Sequence, residues 1–191
     1  VDSFLVKHAT SVIKILPSPH RPKDAESVTG DQLSKVLKYL CRMYSYVVVD
    51  ASSTLSDLTL GVFDASDVII LVTTQDIPSL KNCRLFLDVA DAMGLDRKRI
   101  LFTMNRYDKR VGILPEKISE NFKQEIVAVF PLDERIVVPS VNRGVPLILA
   151  NKSQHIGRSF LSLAEVIKQR MSHMEEKQLP VSTARTGTGK K

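Results

Sequence analysis

Three polar residues with the chemistry of nucleotide ligands follow apolar runs in the sequence. Asp50 and Asn105 come directly after such runs, and Asp133 comes three residues after another. A carboxylate at the end of a buried strand can hold Mg²⁺, directly or through water, and a side-chain amide can read the edge of a purine ring. In isolation a helix cap or a turn explains Asp50 equally well, a polar turn explains Asn105 better, and Asp133 indicates almost nothing. Only their combination favours a nucleotide site.

The segment around Asn105 leaves the identity of the base open. Asn105 and Asp108 have the Asn-x-x-Asp spacing that reads guanine in GTPases, although Arg106 stands where that motif commonly has a lysine. A GTP-binding protein is therefore one alternative, and a plain polar turn after a strand is the simpler explanation of this segment alone.

The elements that must position these residues are short apolar runs that alternate with amphipathic stretches. We predict strands at 12–16, 46–50, 68–73, 100–104 and 126–130, and helices at 31–43, 55–65, 79–93, 115–123 and 156–174. Runs such as 46–50 lack polar alternation, which is typical of strands buried on both faces of a parallel sheet. The pattern predicts an open, doubly wound, mostly parallel α/β sheet with helices on both faces. Ligands bind at the carboxyl edge of such sheets.

The net charge of +6 does not by itself indicate a nucleic-acid partner. Residues 177–191 carry four basic residues and no acid, so the rest of the chain carries only +2. We predict that 177–191 is a disordered basic tail. Basic residues between 84 and 110 could contact phosphates, but acids are interleaved among them, so DNA is not the expected partner. These basic residues are Arg84, Arg97, Lys98, Arg99, Arg106, Lys109 and Arg110.

Hydropathy and cysteine content favour a cytoplasmic location. No stretch reaches the ~18 uncharged apolar residues that a membrane-spanning helix needs, so no integral membrane segment is expected. Cys41 and Cys83 are isolated and have no metal-type spacing, which suits a reducing cytoplasm.

Several segments, in the same order, resemble the CpaE/TadZ-type pilus-assembly proteins of the MinD/ParA group of P-loop ATPases. The resemblance covers about residues 5–172, and the ordered set is more specific than any one segment. It begins with the stretch LPSPHRPKDAE at 16–26 and includes 46–50 with Ser52, then 55–57, 71–82, 105–107, 131–133 and 141–146.

The resemblance implies three groups of residues around Mg·ATP or Mg·ADP. Asp50 would be the carboxylate that positions Mg²⁺ through water. The residues that begin a switch sensing the γ-phosphate would be Ser52, Ser53 and Thr54. The residues on the adenine side would be Asn105, Arg106, Pro131, Leu132 and Asp133.

The glycine-rich phosphate loop of that family is not found in the sequence. Such a loop needs glycines at fixed spacing and a lysine, so that backbone N–H groups cradle the phosphates. None of the eight glycines completes a G-x-x-x-x-G-K-S/T pattern, and the Gly-Lys near the end of the tail has no strand before it. We interpret 1–176 as the C-terminal portion of the ATPase domain, without the first strand and the phosphate loop. The start at Val1 favours the expectation that the chain is a truncated part of a longer protein.

The leading functional hypothesis is an ATP-dependent switch or positioning protein of the MinD/ParA type in Tad/Flp pilus assembly. It would act as a nucleotide-dependent homodimer with pilus-assembly or secretion proteins, which would recruit it to the inner membrane or cell pole. The parent protein would be a Mg-dependent ATPase, and this chain alone is expected to be inactive. The main alternative is a catalytically silent scaffold of the same fold.

Overall fold

The structure is a computed structural model that describes residues 2–9, 11–19, 21 and 28–178. It consists of two compact units, Val1–Ser66 and Asp67–Lys191. In the first unit, β1 (Val6–Lys7) pairs antiparallel with β2 (Lys14–Ile15). The strand predicted at 12–16 is therefore present only as the two residues of β2.

Two helices, α1 (Gly30–Met43) and α2 (Asp57–Ala65), pack closely in the first unit. The predicted capping box begins α1, because the Thr29 hydroxyl accepts from the N–H of Gln32 and the Thr29 N–H donates to the Gln32 side chain. Glycines permit the close approach, since a Cβ added to Gly61 would lie 3.6 Å from the Cα of Gly30.

Residues 46–50 form no strand, so this part of the prediction is wrong. Val48 is 91% exposed, although its run was expected to be buried on both faces. A strand is stable only when a neighbour pairs with its N–H and C=O groups, and no pairing of this segment exists within the described residues. The β-branched composition favours extended backbone but does not supply a neighbouring strand.

The second unit contains the three parallel strands β3 (Ile69–Thr73), β4 (Ile100–Tyr107) and β5 (Ile126–Pro131), in that order across the sheet. The strands predicted at 68–73, 100–104 and 126–130 are therefore confirmed. β4 is the central strand, and its first five residues are all buried. Helices connect successive strands, as parallel pairing requires.

Helices cover both faces of this sheet. They are α3 (Ile77–Ala92), α4 (Pro115–Phe122), α5 (Glu134–Arg143), α6 (Leu147–Ala150) and α7 (His155–Gln178). On one face Phe102 of β4 packs with Cys83 of α3 and Ile118 of α4. On the other face Phe130 of β5 packs with Leu163 of α7. The predicted α/β fold with a parallel sheet and flanking helices is confirmed.

The last helix continues past its predicted end at 174 and includes residues 177 and 178 of the predicted tail. The remainder of the predicted tail lies outside the described residues. Among the helices of the described part, none is both long and apolar enough to span a membrane.

Candidate functional site

The carboxyl ends of β4 and β5 lie side by side and carry the predicted adenine-side residues. Tyr107 pairs with Pro131 in the register, and the N–H of Leu132 donates to the carbonyl of Tyr107 at 2.9 Å. This pairing brings the end of β4, with Asn105 and Arg106, to the turn that contains Asp133.

A local distortion of β4 presents Asn105 at this edge. The strand register shifts between Met104 and Tyr107, and Arg106 has a left-handed backbone with φ of 55°. Such a conformation is unfavourable for a residue with a side chain and is typical of functional edges. The Asn105 carbonyl Oδ1 stabilises it by accepting the N–H of Arg106 at 2.8 Å. The Asn105 Nδ2 group has no partner in the part of the chain that the structure describes, so it remains available as a donor.

The Arg106 guanidinium forms an ion pair with a residue of α5. Its Nη2 lies 3.2 Å from Oε1 of Glu134, and both side chains are well exposed. An exposed ion pair of this kind contributes little to stability and rearranges readily. Arg106 thus links the end of β4 to the first turn of α5.

Asp133 stands at the N-cap position of α5 without capping it through its side chain. Its backbone carbonyl accepts from the N–H of Val137 at 3.0 Å, so the helix begins there. The preceding Leu132 is 39% exposed. The turn therefore offers an apolar side chain and a carboxylate next to Asn105.

Asp108, the second residue of the guanine-type spacing, is engaged in a local cap. Its carboxylate accepts from Nε and from the backbone N–H of Arg110, each at 2.9 Å. The hydrogen bonds from the Arg110 side chain and then its backbone lower the pKa of Asp108 to about 2. The carboxylate caps the 3-10 turn Lys109–Val111 and is not presented to a ligand.

Gln75 is a residue of this edge that sequence reasoning missed. It lies just after β3 and is almost fully buried. Its Nε2 donates to the carbonyl of Ile113 at 2.8 Å, and its Oε1 accepts from the N–H of Asp108 at 2.5 Å. Gln75 therefore holds the loop that follows Asn105. The available signal was its place directly after a strand, at the edge where the other site residues were sought.

The predicted metal and switch residues lie in the first unit. Asp50 is exposed and forms no hydrogen bond or ion pair with other described residues. Ser56 rather than Asp50 caps α2, accepting from the N–H of Thr59 at 3.4 Å, which removes the helix-cap explanation of Asp50. An uncommitted carboxylate fits Mg²⁺, which is commonly bound through one or two carboxylates, water and phosphate.

The switch segment after Asp50 is exposed and folded into a turn. The hydroxyl of Ser52 accepts from the N–H of Thr54 at 3.1 Å, and Ser53 lies between them at the surface. The carbonyl of Thr54 accepts from the hydroxyl of Thr59 at 2.8 Å, which ties the turn to α2. Across the described residues, no three His, Cys, Asp or Glu side chains come together as a metal cluster.

Acidic side chains form ion pairs with several of the basic residues between 84 and 110. Arg97 forms two hydrogen bonds of 2.6 Å with Asp91, and Arg84 lies 3.5 Å from Asp88. Together with the Arg106 and Arg110 pairs described above, these contacts reduce the charge available to nucleic-acid phosphates.

The sequence is similar to MinD proteins. A MinD protein of Guillardia theta is 26% identical over 165 residues, which cover 84% of this chain and 60% of that protein. The septum site-determining protein MinD of Synechocystis is 22% identical, with 86% of this chain and 62% of that protein covered. The chain thus spans about 60% of the length of these relatives. No protein-family profile matches the sequence.

Solved structures of the same group share the fold. The Pyrococcus horikoshii MinD complexed with Mg-ADP superposes with a TM-score of 0.76 at 22% identity, covering 91% of this chain and 70% of that one. A ParA family ATPase from Chlorobium tepidum gives 0.78 at 20% identity, covering 85% and 68%. The chain therefore has the fold of the MinD and ParA ATPases, and it resembles MinD proteins in sequence over most of its length.

Proposed function

We propose that this chain is the C-terminal portion of a MinD/ParA-type ATPase domain and that the β4–β5 edge binds adenine. The observation that carries the proposal is the bond between Leu132 and Tyr107, because it joins the Asn105 edge to the turn around Asp133. An amide donor, an apolar surface and a carboxylate are thereby gathered at the carboxyl ends of parallel strands, where nucleotides bind.

Adenine suits this edge better than guanine. The unpartnered Nδ2 of Asn105 can donate to a ring nitrogen of adenine, and Oδ1 retains a second lone pair for the exocyclic amine. In the Asn-x-x-Asp spacing that reads guanine, Asp108 would accept the N–H donors of that base, but its carboxylate is held by Arg110. Leu132 offers an apolar surface to the base.

In the first unit, Asp50 would hold Mg²⁺ through water, and the hydroxyls of 52–54 would contact phosphate oxygens. When bound, Mg²⁺ neutralises charge on the phosphate oxygens. The exposed turn that Ser52 closes would change conformation with the state of the γ-phosphate. In the second unit, Asp133 and Arg106 would lie on the base side, where the Arg106 guanidinium contacts Glu134 in the first turn of α5.

The whole protein would be an ATP-dependent switch that dimerises over nucleotide and positions a Tad/Flp-type pilus machinery. The ordered resemblance to CpaE/TadZ proteins, above all the proline-rich stretch at 16–26, supports the pilus assignment. A catalytically silent scaffold of the same fold is the second candidate, since the 191 residues contain no G-x-x-x-x-G-K-S/T motif.

A nucleoside titration tests the base site without requiring a phosphate loop. Backbone amide NMR spectra of the 191-residue chain are recorded with adenosine and with guanosine. We expect saturable adenosine-dependent shifts at 105–108 and 132–134, which weaken in Asn105→Ala and persist in Asn121→Ala, an exposed amide on α4. Shifts that are absent, or that survive Asn105→Ala unchanged, would refute the assignment of this edge.

A further inference from the structure

A basic depression of about 210 Å³ lies in the second unit, where β4 and β5 begin. Its lining comes from the turn before β4, the loop before β5 and α7. This end of the sheet is opposite the carboxyl edge that carries Asn105. The depression is therefore separate from the proposed base site, and it is not explained by that function.

Positive charge dominates the lining. The cations are Arg97, Lys98, Lys123 and Arg170, and Glu125 is the only acid among the lining residues. Of these, Arg97 is paired with Asp91. No acid pairs with the other three cations in the described ranges, so their charges are left to solvent or to a ligand.

The arginines are held in place before any ligand arrives. Nη1 of Arg170 donates to the carbonyl of Lys98 at 2.7 Å, which ties α7 to the turn before β4. Arg97 is fixed by its two bonds to Asp91. A guanidinium already ordered by the protein loses little conformational freedom on binding an anion.

The environment of Arg97 adds to the positive potential. Its Nη1 is inaccessible to solvent and has no hydrogen-bond partner among the described residues. The Asp91 carboxylate accepts hydrogen bonds only from Nε and Nη2 of Arg97. The Nη1 part of the guanidinium is therefore poorly solvated and has no compensating bond within the described part of the chain. An anion nearby would offset the cost of that desolvated charge.

We propose that this depression binds the phosphoryl group of a small, soluble phosphorylated molecule. The cations converge on one compact concavity from three elements, whereas a nucleic-acid surface needs charges spread along a backbone track. A phosphoryl group carries several acceptor oxygens, and it can therefore engage Lys98, Lys123 and Arg170 together. Glu125, the acid among the lining residues, limits the affinity.

Titration with inorganic phosphate at constant ionic strength tests the site in the full 191-residue chain. We expect saturable amide shifts at Lys98, Lys123 and Glu125. Lys123→Gln should weaken binding by ~3-fold, and Glu125→Gln should tighten it by a similar factor, as removal of one charge from a partly exposed cluster implies. Because Glu125→Gln predicts a gain, a general loss of folding cannot imitate the result.

The matched control is Lys168→Gln, which removes the same charge from α7 at a residue paired with Glu165. This variant should bind phosphate as the wild type does. Linear shifts without saturation, or equal weakening by Lys168→Gln and Lys123→Gln, would overturn the proposal. So would binding to duplex DNA or to phosphatidic acid vesicles through these residues when phosphate itself gives no saturable shift.

Discussion

The backbone N–H of Asp108 donates to Oε1 of Gln75 at 2.5 Å, and the same buried side chain donates from Nε2 to the carbonyl of Ile113. Gln75→Ala should lower the free energy of unfolding by about 2–3 kcal/mol, because two partly buried backbone groups lose their hydrogen-bond partner. Urea unfolding measures the change. The exposed Gln169→Ala on α7 should shift stability by less than ~0.5 kcal/mol. Equal effects of the two substitutions would contradict the bridging role.

The decrease in the free energy of unfolding at low pH should depend on Asp108. Its folded pKa of about 2 lies below the ordinary 3.8, so the interaction with Arg110 stabilises the fold above pH 3.8 and is lost as the pH falls toward 2. Asp108→Asn should therefore flatten the pH dependence of unfolding in that window. Glu165→Gln, which removes an exposed carboxylate paired with Lys168, should leave the wild-type slope. A slope unchanged by Asp108→Asn would argue against this pair.

A substitution at Val48 tests whether residues 46–50 are exposed, as observed, or form the buried strand that the sequence predicts. Val48→Ser should change the free energy of unfolding by less than ~0.5 kcal/mol, since the side chain is 91% exposed. Val62→Ala, at a buried position of α2 in the same unit, should cost about 2 kcal/mol. If both substitutions cost the same in urea, residues 46–50 are buried as a strand after all.

The sequence predicts best those features that local chemistry decides. The capping box at Thr29 depends only on Gln32 three residues later, and both bonds are present. The strands at 68–73 and 100–104 are continuous apolar runs with neighbours on the sheet, and they form as expected. The pairing of β4 with β5 also follows, so Asn105 and 131–133 meet at one edge.

Features that depend on residues far apart in the chain cannot be predicted from local sequence patterns. The run 46–50 has strand composition but no pairing strand within the described residues. The helix α5 was not predicted, because Pro139 lies inside it and reads as a breaker. Gln75 is missed because its importance comes from a bond to Asp108, which is far along the chain.

Hydrolysis of ATP by the 191-residue chain should not exceed background. Turnover requires backbone donors and a lysine around the phosphates, and the sequence contains no loop of that kind. Phosphate release with Mg·ATP should equal that of Asp50→Ala. A wild-type rate reproducibly above that of Asp50→Ala would mean that these residues assemble a working phosphate site by another route.

The ratio of adenosine to guanosine affinity tests the central claim most directly. The account predicts that the chain binds adenosine at least ~10-fold more tightly than guanosine, a difference of about 1.4 kcal/mol from matched hydrogen bonds, and that Asn105→Ala removes this preference. Guanosine bound as tightly as adenosine, with the affinity lost in Asp108→Asn, would contradict it and would identify a guanine site instead.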